Sequence, residues 1–277
     1  MQHGASMACR GCAAKLPAEP LAMALEQAGL STLARSPQDA AVLGGSPLKL
    51  QSVDGFPALV SDPWLNGRLT TLHACSDLWA SGADVSSAMA VITLPAVNSS
   101  VQRELLSQTL AGIQSALEPQ GAGLIGGHTL ESRSEPPIPP SLGLQVSLSV
   151  NGEADQLWAK GGIQAGDCLL MSRPIGTGVL FAAAMAGAAQ PGPMDAVLAA
   201  MSTSQHPLLA SLRRWQDAIH ACTDITGFGL LGHLEEMLQC SNPALRVTLE
   251  GDRIKAFDGA LRLLAAGYAS SLRAPSK

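Results

Sequence analysis

The sequence predicts a mixed α/β (α+β) fold in two domains. Segments with helical periodicity and segments with strand-like character interleave along the chain, and 47% of its 277 residues are apolar, which is enough for a sizeable core. At roughly 150 residues per domain, this length fits one large domain or two ordinary ones. Glycines cluster at 151–167, where the domain boundary is expected. We therefore expect a flexible segment at 1–47, an N-terminal domain at 48–155 and a C-terminal domain at 156–277.

The N-terminal half contains the clearest local patterns. Apolar and polar residues alternate strictly from 144 to 150, as in a strand with one buried face. Apolar residues recur at helical spacing from Trp64 to Ala80, Asn98 can cap a following helix, and Gly29 can end a preceding one. The predicted elements are helices at 19–27, 64–80 and 98–117, and strands at 48–53, 57–60, 87–94, 121–125 and 144–150.

The C-terminal half is predicted to be mainly helical. Its only convincing strands are 168–172 and 245–249, and two strands rarely form an independently stable sheet. We therefore expect a C-terminal domain that is incomplete or that borrows strands from elsewhere. The predicted helices lie near 177–188, 194–203, 207–221, 229–240 and 256–266.

Composition excludes several classes of function. The net charge of -5 is not the basic footprint of a general nucleic-acid binder. No segment approaches the roughly 18 uninterrupted apolar residues of a membrane span, and the first thirty residues do not resemble a signal peptide. A cytoplasmic protein is the default expectation, and its six cysteines do not suggest a disulfide scaffold. Charged residues are only 14%, against a usual value of roughly 25%, so a partner subunit or further chain is expected to cover part of the surface.

Four aspartates interrupt apolar surroundings or stand where regular elements break, namely Asp39, Asp54, Asp77 and Asp224. An ionised carboxylate among apolar residues is costly unless it is paired or binds a metal, and Asp77, within an apolar helix, is the clearest case. Several aspartates converging from different elements would suit Mg²⁺ and a nucleoside triphosphate. Taken singly, each aspartate could equally cap a helix or stabilise a turn.

Two glycine-rich segments could bring backbone N–H groups close to an anion. Gly126-Gly127-His128 follows a predicted strand, and Thr226-Gly227-Phe228-Gly229 opens a predicted helix. Neither segment matches the Walker or the Rossmann glycine pattern, and a tight turn is the simpler interpretation of each. His128 is the histidine expected to matter most, because it ends such a turn. Four other histidines lie in helical contexts and are expected to be packing or surface residues, namely His73, His206, His220 and His233.

A thiol and an ammonium stand close together near the N-terminus, as Cys12 and Lys15. A nearby cation increases the thiolate fraction of a cysteine, so a segment that carries both groups could close over a reaction site. Cys9 and Cys12 have the spacing of half a zinc site, but no second pair completes it. The alternative interpretation is an ordinary disordered terminus.

In combination, these motifs resemble the selenide, water dikinase family, also called selenophosphate synthetases. The matching segments occur in the family's order over nearly the whole chain, and the last of them is long and specific. They are Gly11-Cys12-Ala13-Ala14-Lys15, Asp39-Ala40-Ala41-Val42, Val53-Asp54, Asp62-Pro63 with Gly67-Arg68, the segment from Cys75 to Gly82, Gly126-Gly127-His128-Thr129, and the segment from Thr223 to His233.

The resemblance implies the PurM-like fold of aminoimidazole ribonucleotide synthetase, in which two N-terminal domains pair into a β-barrel homodimer and ATP binds near the interface. It also implies that ATP, selenide and water are converted to selenophosphate, AMP and orthophosphate. Cys12 and Lys15 match the catalytic positions, and Asp39, Asp77 and Asp224 match Mg²⁺ ligands. The implied nucleotide contacts are Lys15, Gln38, Asp54, Asp77 and, from the other subunit, Gly126, Gly127 and His128.

The sequence departs from the family at three places. Ala14 replaces a second cysteine, Trp64-Leu65-Asn66 replaces an aspartate-phenylalanine pair before Gly67-Arg68, and a glycine-rich C-terminal stretch is absent after 267–277. The last departure suggests a truncated or fused polypeptide.

Two other functions remain open from the sequence. The first is a non-catalytic nucleotide-binding or dimerisation module. The second is thiamine-monophosphate kinase, which shares the fold and resembles Asp39-Ala40-Ala41-Val42 and Ser76-Asp77-Leu78. That family has an aspartate where His128 stands and a Ser-Asp-Gly run where Gly227-Phe228-Gly229 stands, which makes it the weaker match.

Overall fold

The computed structural model describes residues 18–30 and 38–270. The described helices are α1 (Ala18–Gln27), α2 (Pro63–Ala80), α3 (Ser99–Leu117), α4 (Thr177–Met185), α5 (Pro191–Ser202), α6 (His206–Leu212), α7 (Gly229–Gln239) and α8 (Ala260–Ala265). The described strands are β1 (Ala41–Gly44), β2 (Leu48–Pro57), β3 (Asp84–Leu94), β4 (Gly123–Glu131) and β5 (Gln145–Ala154). Short 3₁₀ turns occupy Glu118–Gln120, Pro140–Gly143, Arg213–Ala218 and Gly251–Arg253.

The five strands form one open, mixed sheet in the order β1-β2-β5-β3-β4. β2 pairs with β5 in antiparallel register from Leu48 opposite Ala154 to Pro57 opposite Gln145. β3 and β4 run parallel, because α3 carries the chain back between them. Within the described residues of one chain the sheet is open, and the β-barrel that the resemblance implies for a pair of subunits stays a prediction.

Helices α2 and α3 cover one face of the sheet and form the main core with it. Helix α3 begins as its sequence predicts, because the Asn98 side chain accepts from the Val101 N–H. In α2 the Asp62 side chain plays the same capping role and accepts from the Leu65 N–H. The two helices approach very closely at Gly112, where a Cβ would lie 1.9 Å from the Trp64 carbonyl oxygen. Only glycine fits there, so this contact fixes the position of α2.

The other face of the sheet remains exposed and is partly apolar. Val53 on β2 is 72% exposed and Ile125 on β4 is 67% exposed, and Met89 and Val91 on β3 are also exposed. An apolar sheet face of this kind normally packs against another layer of structure. Within the described residues, the helices of the main core lie on the opposite side.

The C-terminal half differs from the prediction. Residues 168–172 and 245–249 are not strands, and Leu170 is 89% exposed. Their apolar runs resemble buried strands, but no ladder partner for them lies among the described residues. One isolated bridge joins Ile175 and Ala256, and a second apolar cluster forms around Leu180 and Val197.

Boundaries predicted for other elements were partly wrong. The segment at 57–60 is not a separate strand, because β2 continues through Asp54 to Pro57. The helix expected at 207–221 is shorter, since α6 ends at Leu212 and a 3₁₀ turn follows in which Trp215 has φ -121° and ψ 17°. Within the described part of the chain, no helix has both the length and the apolar character needed to cross a bilayer.

Candidate functional site

Three carboxylates that are far apart in sequence meet at one place. One oxygen each of Asp39, Asp77 and Asp224 lies within 4.8 Å of the other two. Asp39 precedes β1, Asp77 lies in the last turn of α2, and Asp224 lies between the 3₁₀ turn and α7. The structure thus brings together the three residues that the sequence singles out as candidate metal ligands.

Local packing explains why these carboxylates point at one another. Asp39 is followed by the buried Ala40, which anchors the entry to β1. Cys75 and Leu78 are fully buried on the sheet side of α2, which leaves Asp77 on the flank of the helix. The segment that carries Asp224 is fixed by the Cys222 N–H, which donates to the Ala159 carbonyl at 2.9 Å.

Hydroxyl groups hold these carboxylates in place. The Ser52 hydroxyl on β2 donates to Asp77 Oδ2 at 2.5 Å, and the Ser76 hydroxyl donates to Asp224 Oδ2 at 2.5 Å. The Thr223 hydroxyl lies 3.3 Å from Asp39 Oδ1. The carboxylates are therefore oriented by donors from the sheet, from α2 and from the C-terminal half.

A buried lysine, Lys160, lies behind this cluster. Its side chain is 5% exposed, and its ammonium lies 2.7 Å from Asp39 Oδ1 and 2.9 Å from Glu236 Oε2. His233 extends the network, because its Nε2 accepts from the Thr226 N–H at 3.1 Å and its Nδ1 faces Glu236 Oε2 at 3.4 Å. The nearby imidazole of His233 and the hydrogen bond and charge of Lys160 lower the pKa of Glu236 to about 2.

Sequence reasoning missed Lys160 and Glu236 and assigned His233 to packing or surface. The glycine motif that opens α7 was noticed for its possible anion contacts. Its position in the structure shows that it also brings His233 and Glu236 to the buried lysine.

The charges of the cluster are strongly coupled. Burial, followed by repulsion from Asp224, raises the pKa of Asp77 to about 8. Burial and the charge of Asp224 also raise the pKa of Asp39, although Lys160 acts in the opposite direction. Burial disfavours the charged form of Lys160. The charges and hydrogen bonds of Asp39 and Glu236 outweigh burial, so the pKa of Lys160 is raised. One lysine does not compensate the negative charge, so the cluster has the electrostatics of a cation site.

A second pair, Asp54 and His73, lies beside the cluster. His73 Nε2 lies 2.8 Å from Asp54 Oδ2, and the Gly55 N–H donates to Asp54 Oδ1 at 2.7 Å. Burial opposes protonation of the imidazole, but the hydrogen bond to Asp54 and its charge outweigh burial, so the pKa of His73 is raised. Asp54 lies inside β2 and not at a strand end as expected, and His73, assigned to packing or surface, was missed as its partner.

The remaining candidate residues are more dispersed. Gln38 lies beside the network, with its Oε1 3.4 Å from the Lys160 N–H. Gly126, Gly127 and His128 are part of the edge strand β4 and do not form a turn after it as expected. A Cβ on Gly127 would lie 2.1 Å from the Ala90 carbonyl oxygen, so close strand packing explains this glycine. Cys12 and Lys15 lie outside the described residues.

The fold and the site identify the class of protein. Residues 18–153 match the family model of the AIR synthase related protein N-terminal domain, and residues 164–271 match that of its C-terminal domain. Among solved structures, thiamine monophosphate kinase from Aquifex aeolicus is similar, with a TM-score of 0.55, 17% identity and coverage of 69% of this chain and 64% of that one. The hydrogenase maturation protein HypE of E. coli gives a TM-score of 0.58 at 18% identity, over 79% of this chain and 64% of that one. At such identities these likenesses show the fold alone.

Curated relatives narrow the class to one family. A selenide, water dikinase of Pelobacter propionicus is 34% identical over 239 residues, which are 85% of this chain and 63% of the relative. A selenide, water dikinase of Myxococcus xanthus is 32% identical over 257 residues, 89% of this chain and 69% of the relative. The chain belongs to the selenide, water dikinase family, and it spans about two thirds of the length of these relatives.

Proposed function

We propose that this chain contains the metal- and nucleotide-binding site of a selenide, water dikinase. In that reaction ATP, selenide and water give selenophosphate, AMP and orthophosphate. The observation that carries the proposal is the meeting of Asp39, Asp77 and Asp224 within 4.8 Å in a member of this family. The raised pKa of Asp77 and of Asp39 expresses the same feature electrostatically, because buried like charges need a counter-cation.

The three carboxylates fit Mg²⁺ as its ligands. Hard cations of this kind prefer carboxylate oxygens together with water and phosphate oxygens. When bound, Mg²⁺ would supply the positive charge that offsets repulsion between the carboxylates and a triphosphate and that stabilises charge during phosphoryl transfer. Lys160, itself paired with Glu236, holds Asp39 from behind, and Ser52 and Ser76 hold the other two carboxylates.

The other residues bind and orient the substrates in this proposal. Asp54, held by His73 and by the Gly55 N–H, contacts the nucleotide. Gln38, whose Oε1 lies 3.4 Å from the Lys160 N–H, is a second nucleotide contact. Lys15 contacts the phosphates and Cys12 acts on selenide, as the family resemblance implies. A segment that carries both groups would exclude water from the first phosphoryl transfer.

A homodimer completes the proposed site. The exposed apolar face that includes Val53, Val91 and Ile125 suits a second copy, and the two edge strands of the open sheet remain available for pairing. Strand β4, which carries Gly126 to His128, is three strand spacings from β2, or about 14 Å at the usual separation. These residues are therefore better placed to contact a nucleotide bound to the partner than one held by their own Asp54.

The test is an anaerobic assay with ATP, Mg²⁺ and selenide, in which nucleotides are separated by chromatography and the phosphorus products are identified by NMR. We expect AMP, orthophosphate and selenophosphate to form only when selenide is present, and the variant Asp77→Asn to form none of them. Parallel reactions receive thiamine monophosphate in place of selenide.

The other outcomes discriminate between the alternatives. ADP formation that depends on thiamine monophosphate would replace the proposal with the kinase of that substrate. Mg²⁺-dependent ATP binding without AMP would assign the chain to the class of non-catalytic nucleotide-binding modules. Absence of both binding and turnover would remove the proposed site altogether.

A further inference from the structure

Each carboxylate of the cluster has one oxygen engaged by a protein donor. Ser52 holds Oδ2 of Asp77, and Ser76 holds Oδ2 of Asp224. Lys160 holds Oδ1 of Asp39, with the Thr223 hydroxyl on the same oxygen. Among the described residues, no side-chain hydrogen bond engages the second oxygen of any of the three, so each carboxylate can offer one free oxygen to a ligand.

Each of the two serine hydroxyls also lies near a backbone carbonyl, which is a weaker hydrogen-bond acceptor than the carboxylate. Ser52 Oγ lies 3.3 Å from the Asp39 carbonyl, and Ser76 Oγ lies 2.7 Å from the His73 carbonyl. A hydroxyl has one hydrogen to donate, and an ionised carboxylate is a stronger acceptor than a backbone carbonyl. With the carboxylates ionised around a cation, both serines therefore donate to Asp77 and Asp224 at the observed 2.5 Å.

We propose that Ser52 and Ser76 are positioning residues that determine which divalent cation the site accepts. By engaging one oxygen of each carboxylate, they force single-oxygen ligation and favour Mg²⁺ over Ca²⁺. This inference rests on the proposed function, because it assumes that the three carboxylates bind a cation. It goes further by assigning the metal selectivity to residues that do not touch the metal.

The coordination chemistry of the two cations gives the reason. Mg²⁺ is satisfied by six oxygens in a compact octahedron and keeps several water molecules. Ca²⁺ accepts six to eight oxygens at longer distances and readily takes both oxygens of a carboxylate. A site whose carboxylates each offer one oxygen gives Mg²⁺ what it needs but denies Ca²⁺ its extra ligands.

The experiment measures binding of each metal alone, by calorimetric titration of the metal-free protein with Mg²⁺, Mn²⁺ and Ca²⁺. Thermal unfolding with each cation provides a second readout. The variants are Ser52→Ala and Ser76→Ala, and Ser52→Thr restores the hydroxyl. Ser81→Ala is the matched control, because the buried Ser81 hydroxyl donates to the Asp77 backbone carbonyl at 2.8 Å and not to its carboxylate.

In each alanine variant we expect affinity for Ca²⁺ relative to Mg²⁺ to rise about tenfold, which corresponds to about 1.4 kcal/mol. The ratio of Mn²⁺ to Mg²⁺ affinity should stay unchanged, since both ions favour octahedral oxygen sites. Ser52→Thr and Ser81→Ala should keep the wild-type ratio of Ca²⁺ to Mg²⁺.

An unchanged ratio in folded Ser52→Ala and Ser76→Ala would overturn this inference while leaving the proposed function intact, provided that the wild type binds Mg²⁺. The same increase in Ser81→Ala would also overturn it, because general loosening of α2 would then be the cause. A wild-type protein that binds none of the three cations would instead contradict the proposed function. The two failures are therefore distinguishable.

Discussion

Asp77→Asn should stabilise the metal-free protein, although it removes a proposed ligand. The folded protein holds the Asp77 proton more tightly than the unfolded chain does, since the pKa rises from an ordinary 3.8 to about 8. For an acid with a raised pKa, the folded state loses stability as pH rises through this window and regains it as pH falls towards 3.8. The neutral amide removes this penalty and keeps an oxygen that can accept from Ser52.

The size of the gain follows from the pKa values. One pH unit between the folded and unfolded pKa is worth about 1.4 kcal/mol, so the upper bound near pH 8 is about 5 kcal/mol. The buried amide retains a desolvation cost of its own, and we therefore expect a gain of about 2–3 kcal/mol. Near pH 5 the carboxyl of the wild type is largely protonated, and the gain should fall below about 1 kcal/mol.

The assay is urea unfolding near pH 5 and near pH 8 in the presence of a chelator, repeated near pH 8 with Mg²⁺. Wild type should gain stability from Mg²⁺, whereas Asp77→Asn should gain little. Asp195→Asn, at an exposed position of α5, is the control and should match the wild type both in its pH dependence and in its gain of stability from Mg²⁺. The reasoning is refuted if metal-free Asp77→Asn is less stable than wild type near pH 8, or equally stabilised at both pH values.

Lys160→Met should lower the free energy of unfolding by about 3–5 kcal/mol at neutral pH, because it leaves Asp39 buried without its partner. Urea denaturation measures this change, and an unchanged free energy of unfolding would show that the ion pair is dispensable. Gly112→Ala should lower the free energy of unfolding by about 2–3 kcal/mol in the same assay, since the added methyl group collides with the Trp64 carbonyl. Retention of wild-type stability would contradict the close contact of α2 and α3. Val53→Lys should convert the proposed homodimer to a monomer in light scattering without unfolding it, and a variant that remains dimeric would remove the open sheet face as the proposed interface. Cys12→Ala and Lys15→Ala should each abolish selenide-dependent ATP consumption with unchanged circular dichroism, and full activity in both would exclude their proposed roles.

The elements that could be predicted from sequence are those whose information is local. Helices α2 and α3 were expected within about one residue of their observed bounds, because the apolar spacing of α2 is regular and Asn98 provides the cap of α3. The alternation at 144–150 likewise predicted β5. The strands predicted at 168–172 and 245–249 were wrong, because an apolar run forms a strand only if a neighbouring strand is available to pair with it.

The site could be predicted only in part for the same reason. Asp39, Asp77 and Asp224 were conspicuous because each interrupts apolar surroundings or stands where regular elements break. Lys160 was not conspicuous in the sequence, because its partner Glu236 is 76 positions away and nothing near Lys160 indicates burial. His73 was assigned to packing or surface for a similar reason, since its pairing with Asp54 depends on how α2 lies against β2.

The central claim, that the three carboxylates hold divalent cations against a nucleotide, is tested most directly by diffraction from crystals grown with Mn²⁺ and a non-hydrolysable ATP analogue. The account predicts an anomalous peak at coordination distance from oxygens of Asp39, Asp77 and Asp224, with the phosphate chain of the analogue as a further ligand. A bound nucleotide whose metal lies away from these three side chains, or a cluster that stays unoccupied at saturating Mn²⁺, would contradict it.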